Sequence, residues 1–560
     1  MEGNKHTEHS CSEALRQTVT SFIAYEAEKG TPVSLACPDT LIALTVFAKR
    51  LRDCVREDGA QKYLAMSGLP LKLCSLLWKE SLLSSPSEAS EPFRRMMWQA
   101  LFNLSSGPVG EHASVFDAMT SEGEKGVCAI EVGAMSAVAH PKLAGVVVGA
   151  VYTACGCGKL WANSGSIKDG GKATELENAK HCLKKLFGLP RAFNSLLRLL
   201  LPPTHGDAER LESHADVAAW GSMLGVSILR CGLLEDAIIC ASQGVPATQL
   251  MFLSPAAPPP RVSHSYAVTG ELTALLSAVE GGVEDCMGSD LNALWEGLIV
   301  SIPCFCELVK LCSKEALSTA AAILSSSTQR GSKRGEMEGG GSGAAASWEL
   351  DTGPHTLLPK LHIGLCLRSA EAVSQLFAQA LSAAHSRAEA LSPASPECST
   401  SIPLLSGVPS ALLALLAAAT PVLSASSIDD PAMGSNTPPQ SQEKLHPHLS
   451  NSASLFAARL PPPLSPYLRP SLTRALANVM YGQGVEGEGA RREALEVGGV
   501  PVVLAQTKME EDAFLLREWA LLAIKHWCEG GGAASQEAIV AVSGVREGLA
   551  PGAKEFPKMS

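Results

Sequence analysis

The tripeptide Gly–aliphatic–Pro recurs along this chain as GLP from Gly68 and Gly188 and as GVP from Gly244, Gly407 and Gly499. Apolar runs follow four of these sites: LKLCSLLW, RAFNSLLRLLL, SALLALLAAA and VVLAQ. Glycine ends the preceding element or frees the turn. Proline is tolerated in the first turn of the helix that follows, because its missing N–H has no intrahelical partner there. A chain punctuated in this way is built from repeated helical units, not from one continuous core. At 560 residues it is also too long for one ordinary core.

The spacing gives the size of the unit. Gly68 and Gly188 are 120 residues apart, three steps of about 40. Gly244 and Gly407 are 163 apart, but that interval holds a Pro-rich stretch of 13 residues (Ser254 to Tyr266) and a Gly/Ser-rich stretch of 23 (Ser325 to Ser347). Without them 127 residues remain, again close to three units. A unit of this length with two or three helices is the armadillo/HEAT period. Helices reading A-L-x-N-L favour armadillo: ALFNLS from Ala100, ALANVM from Ala475, and AIKHWC from Ala523 with His for Asn. The expected fold is all-α, an armadillo-like (ARM/HEAT) right-handed superhelical solenoid with disordered low-complexity insertions.

The expected organisation is helical repeats over 1–323, with a Pro-rich loop near 254–266, and a Gly/Ser-rich insertion over 324–350. Further repeats follow over 351–424, then a Pro/Ser-rich linker over 425–468. A C-terminal domain over 469–549 and a flexible tail over 550–560 complete the chain.

Composition agrees with helix-on-helix packing. Hydrophobic residues make up 46% but aromatics only 5%, so the apolar content is chiefly Leu, Ala and Val. The formal net charge is −11, with no basic block to neutralise phosphates, which argues against nucleic acid and anionic membranes as ligands. The 17 cysteines are scattered through apolar stretches without a CxxC pair, as expected of reduced thiols acting as small hydrophobes. The N-terminal MEGNKHTEHSCSEALRQ lacks the apolar core of a signal peptide. An uncharged run from Cys398 to Ile428 is broken by Pro403, Pro409 and Pro421, so a buried repeat helix is expected there and not a membrane span.

Chemical motifs are not found. GSIKDGGKAT, from Gly165, places Ser166 where a P-loop needs Gly and Ala173 where it needs a hydroxyl, so a solvated loop is expected. His6, His9 and Cys11, the pair His446 and His448, and the CxC pairs Cys155/Cys157 and Cys304/Cys306 all lack the remaining ligands of a zinc site. Neither GxSxG nor HExxH occurs. The expectation is a non-enzyme without metal or cofactor.

The stretch REWALLAIKHWCEG, from Arg517, reads as one amphipathic helix. Arg517, Glu518, Lys525 and Glu529 share a polar sector, and Trp519, Ala520, Ala523, Ile524 and Trp527 lie opposite, with His526 on the apolar side. The segment from Ser471 to Val542 resembles the C-terminal domain of the ataxin-10 family. It carries that family's helix with Asn478, its Gly-h-Pro step at Gly499 and Pro501, its acidic segment Glu510–Asp512, and its Glu518–Trp519–Ala520 and Ala523–Ile524 pattern. It departs from the pattern where Asp512-Ala513-Phe514 replaces Asn-Pro-Phe and where His526 replaces Asn.

The resemblance implies a cytoplasmic, non-catalytic scaffold acting through protein partners in cytokinesis, cell survival or signalling. The partners expected are other proteins, with a homo-oligomer allowed for. Asn103, Arg474, Asn478 and His526 are the candidate partner-binding residues of its inner surface. The alternative is an importin-like adaptor for peptide cargo. Its groove would place Trp four residues before each Asn, where this chain has Gln99, Arg474 and Leu522.

Overall fold

The computed structural model describes scattered positions between 45 and 64, the segments 68–83, 90–106, 111–123, 126–158, 169–201, 208–243, 266–286, 291–334, 354–390, 405–420, 465–481, 485–507 and 515–530, and four positions from 536 to 540. Gly244, the histidine groups near 6 and 446, the Pro-rich stretch up to 265, and residues 335–350, 425–464, 512–514 and 550–560 lie outside the described residues. Among the described residues the secondary structure is helical, apart from an isolated bridge between Glu122 and Cys128.

The chain divides into two compact units. The first holds α1 (Leu69–Leu83), α2 (Glu91–Ser105), α3 (Glu111–Thr120), α4 (Ala129–Ala139), α5 (Ala144–Ala154), α6 (Asp169–Phe187), α7 (Pro190–Leu199), α8 (Ala208–Arg230), α9 (Leu234–Ser242) and α10 (Gly270–Asp285). The boundary falls within α11 (Leu291–Val300). The second unit holds α12 (Ile302–Arg334), α13 (Pro354–Ala390), α14 (Val408–Ala419), α15 (Leu468–Tyr481), α16 (Val485–Glu496), α17 (Gly499–Ala505) and α18 (Leu516–Gly530).

Each unit is a helical solenoid with two stacked layers. In the first, α2, α5, α8 and α10 pack in succession, and α1, α4, α7 and α9 form a second row. In the second, α12, α13, α15 and α18 make the first kind of row, while α14 and α17 make the other. The two motif classes separate onto these rows. Helices opened by Gly–aliphatic–Pro are α1, α7, α14 and α17, and helices carrying the A-L-x-N-L pattern are α2, α15 and α18. Three helices make one complete unit, as in α3–α4–α5 and α16–α17–α18, and the extensive contacts of each element are with its near neighbours. The step is longer than the spacing suggested: α1, α4 and α7 begin at Leu69, Ala129 and Pro190, so Gly68 to Gly188 spans two units of about 60 residues and not three of about 40, because a third helix is added to each.

The punctuation works as the covalent chemistry demands. Gly68 and Gly407 adopt left-handed φ of 73° and 80°, where a side chain would be strained. At the last repeat the left-handed residue is Gly498 (φ 75°), one position earlier, and Gly499 is already helical. Pro70, Pro190, Pro409 and Pro501 all fall in the first turn of their helices.

The start of α14 is completed from a different repeat. Glu493 on α16 accepts hydrogen bonds from the backbone N–H of Gly407 (2.9 Å) and Ser410 (3.0 Å) and from the Ser410 hydroxyl. A carboxylate there satisfies orphan donors and complements the positive end of the helix. Glu493→Ala is expected to destabilise the second unit by about 1.5–2 kcal/mol, and Glu493→Gln by less, because the amide keeps one acceptor. Urea unfolding followed by circular dichroism measures the order. Equal stability of all three proteins would refute the cap.

Two helices pass closer than side chains allow. A Cβ on Gly225 of α8 would lie 2.8 Å from the backbone nitrogen of Val279 on α10, and one on Gly282 would run into the carbonyl oxygen of Ser222. The α8–α10 crossing is therefore a backbone-to-backbone contact. Elsewhere the core is conventional: Trp98, Trp527, Tyr152 and Phe193 are fully buried among Leu, Val and Ala. The described cysteines are free and, except for Cys528, buried. Burial pushes thiols such as Cys182, Cys240 and Cys306 up to about 12, which keeps them protonated at neutral pH.

Two local expectations are corrected. Asp169 to Thr174, read as part of a solvated loop, open α6, because the helix formed by the residues behind them propagates back over Gly170 and Gly171. Similarly, α12 continues to Arg334, well into the stretch expected as insertion, since Ser, Thr and Ala-rich residues follow a helix already nucleated by the apolar run from Ile302. Among the described residues no helix is long and apolar enough to cross a membrane, and the uncharged run around SALLALLAAA forms the twelve-residue, largely buried α14.

Candidate functional site

The candidate residues of the second unit lie along the row α13–α15–α18. These helices run parallel, as equivalent elements of successive repeats must, and side chains join them in a fixed sequence. On the α13–α15 side, Ser465 donates to Glu371 (3.0 Å), Ser471 to Gln375 (3.3 Å), and the Asn478 amide to the carbonyl of Ala378 (2.7 Å). Between α15 and α18, the Arg474 guanidinium lies over the Trp519 ring at 5.1 Å, and Tyr481 meets His526 edge to face at 4.8 Å. Tyr481 meets His385 of α13 in the same way at 4.9 Å, so three rings form a column across three helices. The paired positions Arg474/Tyr481 and Trp519/His526 both advance by seven residues, two helical turns along one face.

The four expected contact residues differ in what they offer. Asn478 is half-buried and uses one amide hydrogen on Ala378, which ties α15 to α13; its remaining donor and its oxygen complete the inventory of an amide. Arg474 is half-buried, stacked on a half-buried Trp519. His526 is only 8% exposed and sits beside Tyr481, not beside Asn478. Burial lowers its pKa below the ordinary imidazole value; Glu529, 3.8 Å away, opposes that shift, while Lys525 and Arg491 reinforce it. At neutral pH His526 is therefore an uncharged ring packed in the column, and a partner would meet only its rim.

Asn103 lies in the first unit and is considered there alone. Its amide donates to the carbonyl of Arg52 at 3.3 Å, and the Arg52 guanidinium reaches Gln99 at 3.4 Å. With Lys142, Asp216 and Trp220 these residues line a shallow cavity of about 260 Å³. The Trp220 ring stands edge-on to Phe102 at 5.6 Å and is tilted against Tyr152 at 5.5 Å. An importin-like groove would place its aromatic four residues before Asn103 on the same helix, where Gln99 stands. The aromatic comes instead from α8, through packing that no local spacing reports.

Gly499 opens α17 against Leu413 of α14, and Pro501 lies in the same first turn. On α18 Glu518 is exposed, Trp519 and Ile524 are half-buried, and Ala520 is fully buried. The indole N–H of Trp527, fully buried, donates to the carbonyl of Arg491 at 3.2 Å, and Arg491 in turn donates to the carbonyl of Met480 at 2.6 Å.

A group of side chains of metal-ligand type lies outside the zinc candidates of the sequence. Glu315 of α12 and His362 and Cys366 of α13 bring one donor atom each within 4.8 Å of one another. His362 and Cys366 are four residues apart, a spacing visible in the sequence as HIGLC; Glu315 is 47 residues upstream and only packing brings it near.

The architecture defines the class as an all-α helical-repeat protein. No family model matches the chain, and no curated protein does. Among solved structures, the crystal structure of an engineered protein aligns at 16% identity over 88% of this chain and 99% of that one, with a TM-score of 0.19. So low a score says nothing about fold or function.

Proposed function

We propose that this chain is a non-catalytic scaffold that binds other proteins along its stacked helices, in the manner of the ataxin-10 family, in the cytoplasm and in the service of cytokinesis, cell survival or signalling. The observation that carries the reading is the face shared by α15 and α18. There a half-buried Arg474 stacked on Trp519 stands one turn from Asn478, whose amide retains hydrogen-bonding capacity. Arginine and tryptophan are the residue types that most often dominate binding energy, and an amide can pair with a partner's backbone. The acidic balance of the chain and the absence of catalytic motifs in its sequence support the same reading.

The test is quantitative capture by the full chain against an Arg474→Ala, Asn478→Ala double variant. Loss of at least about tenfold in the partners recovered is expected, since removing a central arginine alone costs binding more than 1 kcal/mol when it anchors an interface. Unchanged capture by a variant with wild-type circular dichroism would refute this face as the docking surface.

One observation favours the alternative of an importin-like adaptor: Trp220 shares a cavity with Asn103 and Asp216, a combination suited to the stem and charge of a lysine. Binding of a basic nuclear-localisation peptide that is lost on Trp220→Ala would favour that reading over the scaffold.

A further inference from the structure

We propose that Glu315, His362 and Cys366 form a binding site for a divalent transition metal of the zinc type, set between α12 and α13 and open to water on its fourth side. The argument starts from the donors. Carboxylate oxygen, imidazole nitrogen and thiolate sulfur are each zinc ligands, and a set of three with one open position is a familiar arrangement for that ion. Harder cations such as Mg²⁺ and Ca²⁺ would not choose a thiolate and an imidazole.

Two of the three donor separations are already close to coordination distances. Tetrahedral coordination with bonds of about 2.0–2.3 Å places neighbouring donor atoms roughly 3.3–3.8 Å apart. His362 Nε2 lies 3.2 Å from Glu315 Oε2 and 3.6 Å from Cys366 Sγ, and all three donor atoms fall within 4.8 Å. His362 and Cys366 stand at i and i+4 on one face of α13, so a rigid helix fixes two of the ligands relative to each other. The closely packed α12 fixes the third.

Access is provided by unequal burial. Cys366 is fully buried, while the side chains of Glu315 and His362 are 29% and 21% exposed, so the thiol forms the floor and the other two form a rim that solvent reaches. Binding exchanges the S–H bond of Cys366 for a metal–sulfur bond and releases that proton to the buffer; the carboxylate and the neutral imidazole contribute lone pairs. His362 Nε2 is the centre of the group, in hydrogen-bond contact with Cys366 Sγ and at ion-pair distance from Glu315 Oε2, which keeps the donors together.

The experiment uses the full chain, purified under reducing conditions and freed of metal with a chelator, then titrated with Co²⁺ and, in competition, with Zn²⁺. The expected result is saturation at one equivalent, a thiolate-to-cobalt charge-transfer band in the near ultraviolet, and its displacement by Zn²⁺. Cys366→Ser should abolish the band. His362→Ala and Glu315→Gln should each weaken affinity, by about a hundredfold for the imidazole, roughly one ligand's portion of the binding free energy. Cys312→Ser, one turn before Glu315 on α12, should leave the band intact. No saturable band in the wild type, or a band that survives Cys366→Ser or is lost with Cys312→Ser, would overturn the assignment. Circular dichroism of each variant identifies any that fails to fold, and Glu315→Gln, at a rim position, tests the site independently of the buried thiol.

Discussion

Trp527→Ala is expected to destabilise the second unit by about 3–5 kcal/mol, the cost of removing a fully buried large aromatic. The loss has two parts. A cavity opens between α18 and α16, and the carbonyl of Arg491 loses the indole N–H that satisfied it, with Arg491 itself bridging to the end of α15. Trp519→Ala is the internal comparison: it lies eight residues earlier on the same helix, is only half-buried, and should cost less than half as much. In a stacked array each helix meets only its neighbours, so the effect should be local. Native-state hydrogen exchange is the measurement. Protection should fall in α15, α16 and α18 and remain unchanged in the helices of the first unit. Equal loss for the two tryptophans, or loss spread over both units, would contradict this account.

The second large effect is expected at the α8–α10 crossing of the first unit. Gly282→Ala sets a methyl group against the Ser222 carbonyl and the Val226 side chain, and the obstacle is backbone that cannot rotate away. A cost near 3 kcal/mol is expected, at the upper end for overpacking and despite the gain in helix propensity that alanine brings. Gly364→Ala on α13 provides the contrast, because nothing lies within 4 Å of the added Cβ. There only the propensity term acts, and the second unit should gain about 0.5–1 kcal/mol. Opposite signs for the same chemical change, measured by urea unfolding with probes in each unit, would establish that α8 and α10 touch through their backbones. A neutral Gly282→Ala would show that they do not.

Much of the fold was legible because it rests on local chemistry. Gly68 and Gly407 stand where the chain must turn left-handed, the prolines stand where a helix starts, and both facts are written in single residues. The polar sector of α18 was legible for the same reason: Arg517, Glu518, Lys525 and Glu529 are all exposed, and Ala520, Ala523 and Trp527 are buried. The ends of elements were less legible. Helix α12 runs on to Arg334 because propagation through indifferent residues is easy once a helix exists, whereas composition alone suggested a loop.

The candidate site was legible as residue types, not as contacts. Asn478 was found from its motif, yet its amide bonds to Ala378, 100 residues away. His526 stands in the motif where Asn is expected, and in the fold it is the last ring of a column begun by His385 and Tyr481. Glu315 gave no signal at all beside HIGLC, because ligand spacing is informative only when the ligands share one element.

The division follows from the range of the forces involved. Backbone sterics, capping and amphipathic periodicity act within a few residues, so single stretches of sequence are enough to make this protein helical and to set which helices open with Gly–aliphatic–Pro. Which helix stacks on which, that Glu493 caps a helix from another repeat, and that a carboxylate, an imidazole and a thiol converge between α12 and α13 depend on close packing of distant segments. Close packing is short-ranged in space but blind to separation along the chain, and only the tertiary structure decides it.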